Sequence, residues 1–346
     1  MALLRVRLAR RERARLAQAV RPLCGGCSLA AAATLGLAAH LECALRRRAG
    51  AMDDADVHLL PRALMVAGAL SALVSLAGVR LCGDALDPGR LPRWKSLAGP
   101  YLALSFLLTF LTLASSPLGY LMRGSLDASL KVGLRNGIRF YKDTDTPGRC
   151  FQKRTVDLIQ MEFQCCGNDG YRDWFEVQWI SNRYLDFNDK DVRDRIKSNV
   201  DGRYLINSVP FSCCNPSSPR PCIQHQITNN SAHFNYEVES EELNIWMKGC
   251  REALLNYYTG TMATISTAVL LFSIVQLGVL TGLRYLSVSA LAALEQSEPE
   301  SDADGYLLEK GPLETVCAAA KALTSTFSSN QVQTDPAPTE EKAADK

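Results

Sequence analysis

The chain has 346 residues, of which 47% are apolar, and a formal net charge of +2 at pH 7. These averages fit many soluble proteins, because averaging hides a division between strongly apolar and polar blocks. The near-neutral balance gives no reason to expect a nucleic-acid partner, and we predict none.

Four apolar blocks are each about as long as a membrane-spanning helix, which takes roughly 20 residues. They are residues 23–45, 60–82, 101–122 and 259–283. The first block is Ala-rich and therefore the weakest, and an N-terminal signal peptide is its competing interpretation. The leader before it is long, however, and no clean small-residue cleavage site follows it. We therefore predict four transmembrane helices.

The charges around the spans predict their orientation. Residues 1–22 form a basic leader with seven arginines and one glutamate, which favours the cytosol. These arginines are Arg5, Arg7, Arg10, Arg11, Arg13, Arg15 and Arg21. The run Arg46 to Arg48 after the first span weakens this argument, and a glycosylation acceptor at Asn229, in the sequence Asn-Asn-Ser, restores it. An even number of spans then places both termini in the cytosol.

This topology divides the rest of the chain into two lumenal and two cytosolic segments. Residues 46–59 form a small lumenal loop, here called the small loop, and residues 123–258 form the large loop domain, also lumenal. Residues 83–100 are a cytosolic loop, and residues 284–346 are a cytosolic tail.

Seven cysteines lie in the large loop domain. They are Cys150, Cys165, Cys166, Cys213, Cys214, Cys222 and Cys250. Disulfides persist in oxidising compartments, which agrees with a lumenal position. Because the count is odd, six cysteines can pair within the chain and one thiol is left for another molecule. The residues alone do not choose among the possible pairings.

Helical periodicity appears at both ends of the large loop domain. Four apolar residues spaced four apart predict an amphipathic helix that continues out of the third span. They are Leu126, Leu130, Leu134 and Ile138. Further helices are predicted over 153–163 and 241–258. The segment between, 167–230, is rich in Trp, Tyr, Asn, Pro and Gly and is predicted to be irregular structure held by disulfides, with Trp174, Trp179 and Trp246 as its apolar anchors.

Several motifs together resemble a known family. Four spans, a small first loop, a large second loop, Cys165-Cys166-Gly167 and the run Pro210 to Cys213 resemble the tetraspanin superfamily. Within it, YRDWFEVQWISNRYLDF, RIKSNVDGRYL and VPFSCCNPSSPRPC resemble the peripherin (rds) family of photoreceptor outer segments, and ALLRVRL, CGDALDP and GLRYL extend the likeness over nearly the whole chain. The first span and the tail after Lys310 match least well. The resemblance implies an all-α membrane protein, with a four-helix transmembrane bundle and a large disulfide-rich, mainly helical lumenal domain.

The resemblance also implies roles for the cysteines. It pairs Cys165 with Cys250, Cys166 with Cys213, and Cys214 with Cys222. Cys150 is then left over after a polar turn that contains Pro147 and Gly148, and in the family the matching cysteine joins complexes to one another. A free lumenal thiol is the alternative for Cys150.

The function implied is structural and mechanical. Homodimers and higher disulfide-linked homo-oligomers, joined through the lumenal domains and anchored in the membrane lipids, would form and stabilise strongly curved membrane at the rims of photoreceptor outer-segment discs. The paralogous rod outer segment membrane protein, which shares the loop pattern but fits the flanking motifs less well, is a candidate hetero-oligomer partner. An adaptor that clusters partner membrane proteins without shaping the membrane is the alternative.

The cytosolic side carries weaker signals. Cys24, Cys27 and Cys82 lie near predicted membrane edges, where palmitoylation or no role is expected. In the tail, the acidic segment 295–304 predicts a solvated linker. Residues 310–328 predict an amphipathic helix that could lie at the membrane interface, with a transient helix in a disordered tail as the alternative. Its apolar side would carry Leu313, Val316, Ala320 and Leu323.

Signatures of enzymes and channels are weak. The four histidines His40, His58, His225 and His233 lack metal-ligand spacing, and neither a nucleophile elbow nor a glycine-rich phosphate loop is present. We therefore predict no enzyme activity, metal or cofactor. Polar residues in spans are often functional, but Glu42 and Arg80 lie near span ends, where they can pair or snorkel, so a conduction path is not predicted.

Overall fold

The computed structural model describes residues 5–52, 58–85, 90–237, 244–295 and 303–307. Within these ranges the chain is mainly α-helical, with short 3-10 turns and two three-residue strands. The elements are β1 Val6–Leu8, α1 Arg10–Arg47, α2 Leu59–Asp84, α3 Leu91–Leu121, α4 Arg123–Arg139, α5 Phe151–Phe163, α6 Lys190–Ser198, α7 Cys250–Glu295 and β2 Ala303–Gly305.

Four of these helices, α1, α2, α3 and α7, are long and apolar enough to cross a membrane. They cover the four predicted spans and extend beyond each of them, except that α3 ends at Leu121, one residue before its predicted boundary. Helix α7 has 46 residues and is therefore about 69 Å long, more than twice the thickness of the hydrocarbon core. Helix α1 begins at Arg10 rather than at residue 23. Hydropathy marks only the part of a helix that faces lipid. Helix α1 continues beyond that part because Arg, Ala and Leu, which precede residue 23, are good helix formers.

Residue contacts divide the chain into two compact units. The first contains residues up to 26, then 74–106, and the chain from 276 onward. A small apolar cluster around the fully buried Trp94 forms its core, with Leu81 and Leu286 among its members. At its edge, β1 and β2 pair as a two-stranded antiparallel sheet.

The second unit contains residues 27–73 and 107–275. One apolar core joins α1, α2, α4 and α7 around Leu41, Leu130 and Leu254. Helices α3 and α7 are also joined by polar contacts, since the Ser116 hydroxyl donates to the Ser266 carbonyl oxygen at 3.0 Å. Small polar side chains of this kind permit close helix approach in membranes.

Glu42 is a buried charge within α1 and is fully paired. Its Oε1 accepts hydrogen bonds from Nε of Arg46 at 2.7 Å and from Nε of Arg62 in α2 at 3.0 Å. Its Oε2 lies 3.0 Å from Nδ1 of His58. A buried carboxylate needs such partners, because an isolated charge in an apolar site is costly. The pairing explains how a glutamate is tolerated here.

The large loop domain begins as the periodicity predicts. Leu126, Leu130, Leu134 and Ile138 are all buried on one face of α4. Helix α5 follows after a turn and buries Ile159 in the core that contains Leu130, and Val156 in a separate cluster that contains Ile138. Trp174 is fully buried in an apolar cluster of this domain, and Trp179 and Trp246 pack against that cluster as partly buried side chains.

Two predictions for this domain were wrong. The last helix starts at Cys250 rather than at 241, and residues 244–249 are not helical, because their backbone groups bond to the segments around Cys166 and Cys213 instead. The segment predicted to be irregular contains a helix, α6, whose N-cap Asp189 accepts a hydrogen bond from the backbone of Asp191. The Asp189 cap and the Asp191 to Arg195 ion pair, four residues apart, were the missed signals.

The small loop is attached to the large loop domain through Arg48. Its guanidinium group donates to Glu162 and to the Tyr258 hydroxyl, at 2.5 and 3.2 Å. It also lies 4.8 Å from the ring centre of Phe163, a cation–π distance. Nearby, the carbonyl group of Ala51 lies so close to Gly133 that a side chain at residue 133 would overlap it.

Candidate functional site: the disulfide framework and the Cys150 turn

Three disulfides hold the large loop domain together. They join Cys165 to Cys250, Cys166 to Cys213, and Cys214 to Cys222. These are the three pairs that the family resemblance implies. The first ties the end of α5 to the first residue of α7, across a sequence separation of 85 residues. Cys165, Cys166, Cys213 and Cys250 are almost completely buried, so these bonds are structural parts of the core.

Gly167 makes the sharp turn after the cysteine pair. Its φ of +73° lies in the left-handed region, which glycine adopts without cost. A Cβ at this position would overlap the carbonyl oxygen of Gly170. The turn is fastened by Asp173, whose Oδ2 accepts backbone N–H bonds from Asn168 at 2.8 Å and Asp169 at 2.7 Å.

Backbone hydrogen bonds bring the cysteine segments together independently of their sulfur atoms. The Cys166 N–H donates to the Lys248 carbonyl at 2.9 Å, and the Cys250 N–H donates to the Gly167 carbonyl at 3.1 Å. The Trp246 N–H donates to the Cys213 carbonyl at 2.8 Å. These bonds hold the chain in the alignment that the disulfides require.

A network of polar side chains connects α5 to the Pro-Phe-Ser-Cys segment. Asp157 accepts hydrogen bonds from the Tyr141 hydroxyl at 2.7 Å and from the Ser212 hydroxyl at 2.6 Å. Burial, and then the Asp157 carboxylate, raise the pKa of Tyr141, so the phenol stays protonated as a donor. The buried Gln160 amide donates to Ser212 and accepts from the Gly167 N–H and Trp174 Nε1, both at 3.1 Å. Ser212 therefore links two α5 side chains at the base of the Cys166 to Cys213 bond.

We expect Ser212→Ala to lower the free energy of unfolding by about 1–3 kcal/mol, because it leaves buried partners without their hydrogen bonds. Thermal unfolding of the purified full-length protein in detergent measures this loss. Ser217→Ala is the matched control, since Ser217 is exposed and uses only its backbone N–H, to bond Asn215. Equal unfolding temperatures for the two variants would contradict the role assigned to Ser212.

Cys150 differs from the six bonded cysteines in both exposure and partner. It is a free, exposed thiol immediately before α5. The turn that presents it is held on the domain by Arg149, which pairs with Asp143 at 3.3 Å and lies 4.0 Å from the ring centre of Phe140. The next residue, Phe151, lies against Gly50 of the small loop. These contacts hold the turn and place the thiol at the surface.

Asn229, the predicted glycosylation site, is also exposed. The Ser231 hydroxyl donates to the Asn229 side-chain oxygen at 2.7 Å, and the Ser231 N–H donates to the same atom at 3.2 Å. The asparagine and the serine of the glycosylation motif are thus hydrogen-bonded to each other at the surface, where a glycan has room.

Cys24, Cys27 and Cys82, for which palmitoylation or no role is expected, are all buried in the helix packing, and palmitoylation stays a prediction. Their exposed fractions are 1%, 3% and 0%, because each lies on the packed side of its helix. Attaching an acyl chain would require the helices to separate. The predicted tail helix with Leu313, Val316, Ala320 and Leu323 lies outside the described residues.

The described part of the chain has no cluster of metal-ligating side chains, and a small cavity lies between its helices. No group of three or more His, Cys, Asp or Glu residues there could hold a metal ion. A cavity of about 10 Å³ among Leu41, Leu64, Ser116 and Met262 has space for about one water molecule.

Comparison with known proteins agrees with this architecture. The model of the tetraspanin family matches residues 23–287. The chain is 49% identical to the RDS/peripherin-like protein xRDS35 of Xenopus laevis, over 96% of this chain and 97% of that one. It is 47% identical to Peripherin-2 of Gallus gallus, over 96% and 94% of the two chains, and 47% identical to Peripherin-2 of Bos taurus, over 97% of each. The chain therefore belongs to the tetraspanin family, as a multi-pass membrane protein of its peripherin group.

Proposed function

We propose that this tetraspanin is a structural protein that assembles through its large loop domain and through Cys150 to Cys150 disulfides, and that these assemblies bend the membrane. The observation that carries the proposal is the exposed Cys150 thiol, since the other six cysteines of the domain are consumed by internal bonds. The proposed topology places both termini in the cytosol and the domain in an oxidising lumen.

The position of Cys150 suits a bond between two copies. A disulfide needs Cα atoms within about 4.4–6.8 Å of each other, so the two polypeptides must touch at the Cys150 turns. The turn lies outside the domain's core and presents its thiol without rearrangement. Non-covalent contacts between domains would form dimers first, and Cys150 would then link dimers into chains.

Bending follows from shape and anchoring. Each copy is fixed in the bilayer lipids by its spanning helices, so linked units that meet at an angle impose that angle on the membrane beneath them. By similarity to the peripherin group, we place this activity at the rims of photoreceptor outer-segment discs. The rod outer segment membrane protein is the proposed hetero-oligomer partner.

We expect Cys150→Ser to abolish disulfide-linked species on non-reducing gels while leaving non-covalent dimers intact in detergent, because the substitution removes only the linking sulfur. Cys43→Ser is the matched control, since Cys43 is also free and exposed but lies in α1. Linked species that persist in Cys150→Ser and disappear in Cys43→Ser would contradict the assignment.

One observation favours the second candidate, an adaptor that clusters partner proteins on flat membranes. The large loop domain exposes large apolar side chains, with Phe234 at 95%, Tyr184 at 76% and Phe211 at 74% exposure. Exposed apolar side chains can dock another protein when they form a patch. In that case, partner binding would survive loss of Cys150 and the membranes would remain ordinary.

A further inference from the structure

The small loop lies against the first turn of α5, beside the Cys150 turn. The Phe151 ring packs on the backbone of Gly50, since a Cβ at residue 50 would lie 2.7 Å from the Cε2 atom of the ring and 3.2 Å from its Cδ2 atom. Thr155, one turn further along α5, is the next neighbour, at 3.4 Å. A real Cβ atom essentially never approaches another atom to 2.7 Å, so glycine at residue 50 leaves the room that the ring occupies.

A second side of the same turn packs against α4. The Gln152 and Val156 side chains lie 3.4 and 3.0 Å from the position of a Cβ at Gly137. The small loop is itself held on α4, where Ala51 is buried and its carbonyl group contacts Gly133. The first turn of α5 is therefore fixed from two sides, by α4 and by the small loop.

Backbone hydrogen bonds connect this packed turn to the exposed thiol. The Cys150 N–H donates to the Thr146 carbonyl at 3.1 Å, and the Gln152 N–H donates to the Arg149 carbonyl at 3.0 Å. Consecutive Cα atoms are about 3.8 Å apart, and close-packed groups pass a displacement on to their neighbours. A shift of Phe151 therefore moves Cys150 with it.

We propose that Gly50 and Phe151 are positioning residues for the bond between two copies: Gly50 sets the place of the Phe151 ring, and Phe151 sets the place of Cys150. This inference rests on the proposed function, in which Cys150 links copies. It assigns to the small loop a part in that assembly, although the loop contributes no atom to the bond.

The chemistry of the step explains why position is decisive. Two Cys150 thiols and one molecule of oxidised glutathione give one Cys150 to Cys150 disulfide and two molecules of reduced glutathione, so the glutathione sulfurs take up two electrons and two protons. The two Cys150 Cα atoms must come within about 4.4–6.8 Å of each other. A small thiol reagent has no such requirement, because it needs only access to one sulfur atom.

The test compares Gly50→Ala with Gly124→Ala in the full-length protein, purified in detergent with Cys150 reduced. Gly124→Ala is the matched control, because it adds the same methyl group where nothing lies within 4 Å. Cys43 and Cys317 are replaced by serine in every sample, so that Cys150 is the thiol that is followed. Oxidised glutathione starts the reaction, and non-reducing gels give the rate of linking. A small maleimide measures access to the thiol, and thermal unfolding measures stability.

We expect Gly50→Ala to link at roughly a tenth of the control rate or less, since misplacing a reacting group by about 1 Å can cost about 100-fold. Its maleimide rate should equal that of the control, because the thiol stays exposed. Adding Phe151→Leu to Gly50→Ala removes the ring that the new methyl group overlaps, and should restore the control rate of linking.

Equal linking rates for Gly50→Ala and Gly124→Ala would overturn the proposal. So would slow linking that the added Phe151→Leu does not reverse, or slow linking with a matching loss of unfolding temperature, since general loss of structure would then explain it. Failure of the proposed function has a different signature. In that case Cys150→Ser would form linked species as fast as the protein that keeps Cys150, and this inference would fall with it.

Discussion

Replacing Cys165 by serine is expected to prevent stable folding of the large loop domain, whereas Cys222→Ser is expected to weaken it much less. The Cys165 to Cys250 bond closes a loop of 85 residues, and the chain-entropy model assigns such a bond about 4–5 kcal/mol. The Cys214 to Cys222 bond spans only 8 residues, for which the same model gives about 2–3 kcal/mol. A difference of this size is a large part of the stability of a typical domain.

Burial of the cysteine increases the difference in stability between Cys165→Ser and Cys222→Ser. Cys165 and Cys250 are nearly inaccessible to solvent, so a serine at 165 also buries a hydroxyl beside an unpaired thiol. Cys222 is only partly buried and packs against the apolar cluster that contains Trp174. In cells, the test is maturation of the glycan predicted at Asn229. We expect the glycan of Cys165→Ser to stay in its immature form and that of Cys222→Ser to mature in part. Equal maturation of the two variants would contradict the claim that the Cys165 to Cys250 bond stabilises the domain more than the Cys214 to Cys222 bond.

Gly167→Ala should be among the most damaging substitutions that leave every cysteine in place. A left-handed backbone costs a non-glycine residue roughly 1–2 kcal/mol, and overlap with the Gly170 carbonyl adds roughly 1–3 kcal/mol. The turn cannot move away easily, because Asp173 and the neighbouring disulfides hold it on both sides. We expect a loss of about 3 kcal/mol or more in the free energy of unfolding, measured by thermal or denaturant unfolding of the purified protein.

Gly148→Ala separates the two contributions. Gly148 has a φ of +80°, close to that of Gly167, but a Cβ there would meet nothing within 4 Å. Gly148→Ala should therefore lower the free energy of unfolding only by the cost of a left-handed backbone at a non-glycine residue, about 1–2 kcal/mol. If Gly167→Ala and Gly148→Ala lowered the free energy of unfolding equally, overlap with the Gly170 carbonyl oxygen would contribute nothing to the loss.

Local patterns in the sequence predicted those parts of the fold that depend on local spacing. The four-residue spacing from Leu126 to Ile138 placed α4, and the apolar blocks placed the four long helices. The boundary at Cys250 was missed because residues 244–249 form backbone hydrogen bonds with chain segments 29 to 82 residues earlier. Periodicity carries no information about such distant partners.

Contacts between distant segments were the hardest to predict. Strands β1 and β2 have three residues each and lie almost 300 positions apart, so no hydrophobic pattern marks their pairing. The Arg48 contact with Phe163 and Tyr258 likewise joins three separate parts of the chain. By contrast, composition alone showed that one cysteine of the domain is left over, because the count is odd. The family resemblance, and not the count, implied that this cysteine is Cys150.

The most direct test of the account is electron microscopy of membranes from cells that express this chain, with wild type beside Cys150→Ser and Cys43→Ser. We predict tightly curved tubes or flattened sacs for wild type and Cys43→Ser, and altered or absent curvature for Cys150→Ser. Ordinary membranes in all three samples, with normal expression, would contradict the membrane-shaping account and favour the adaptor.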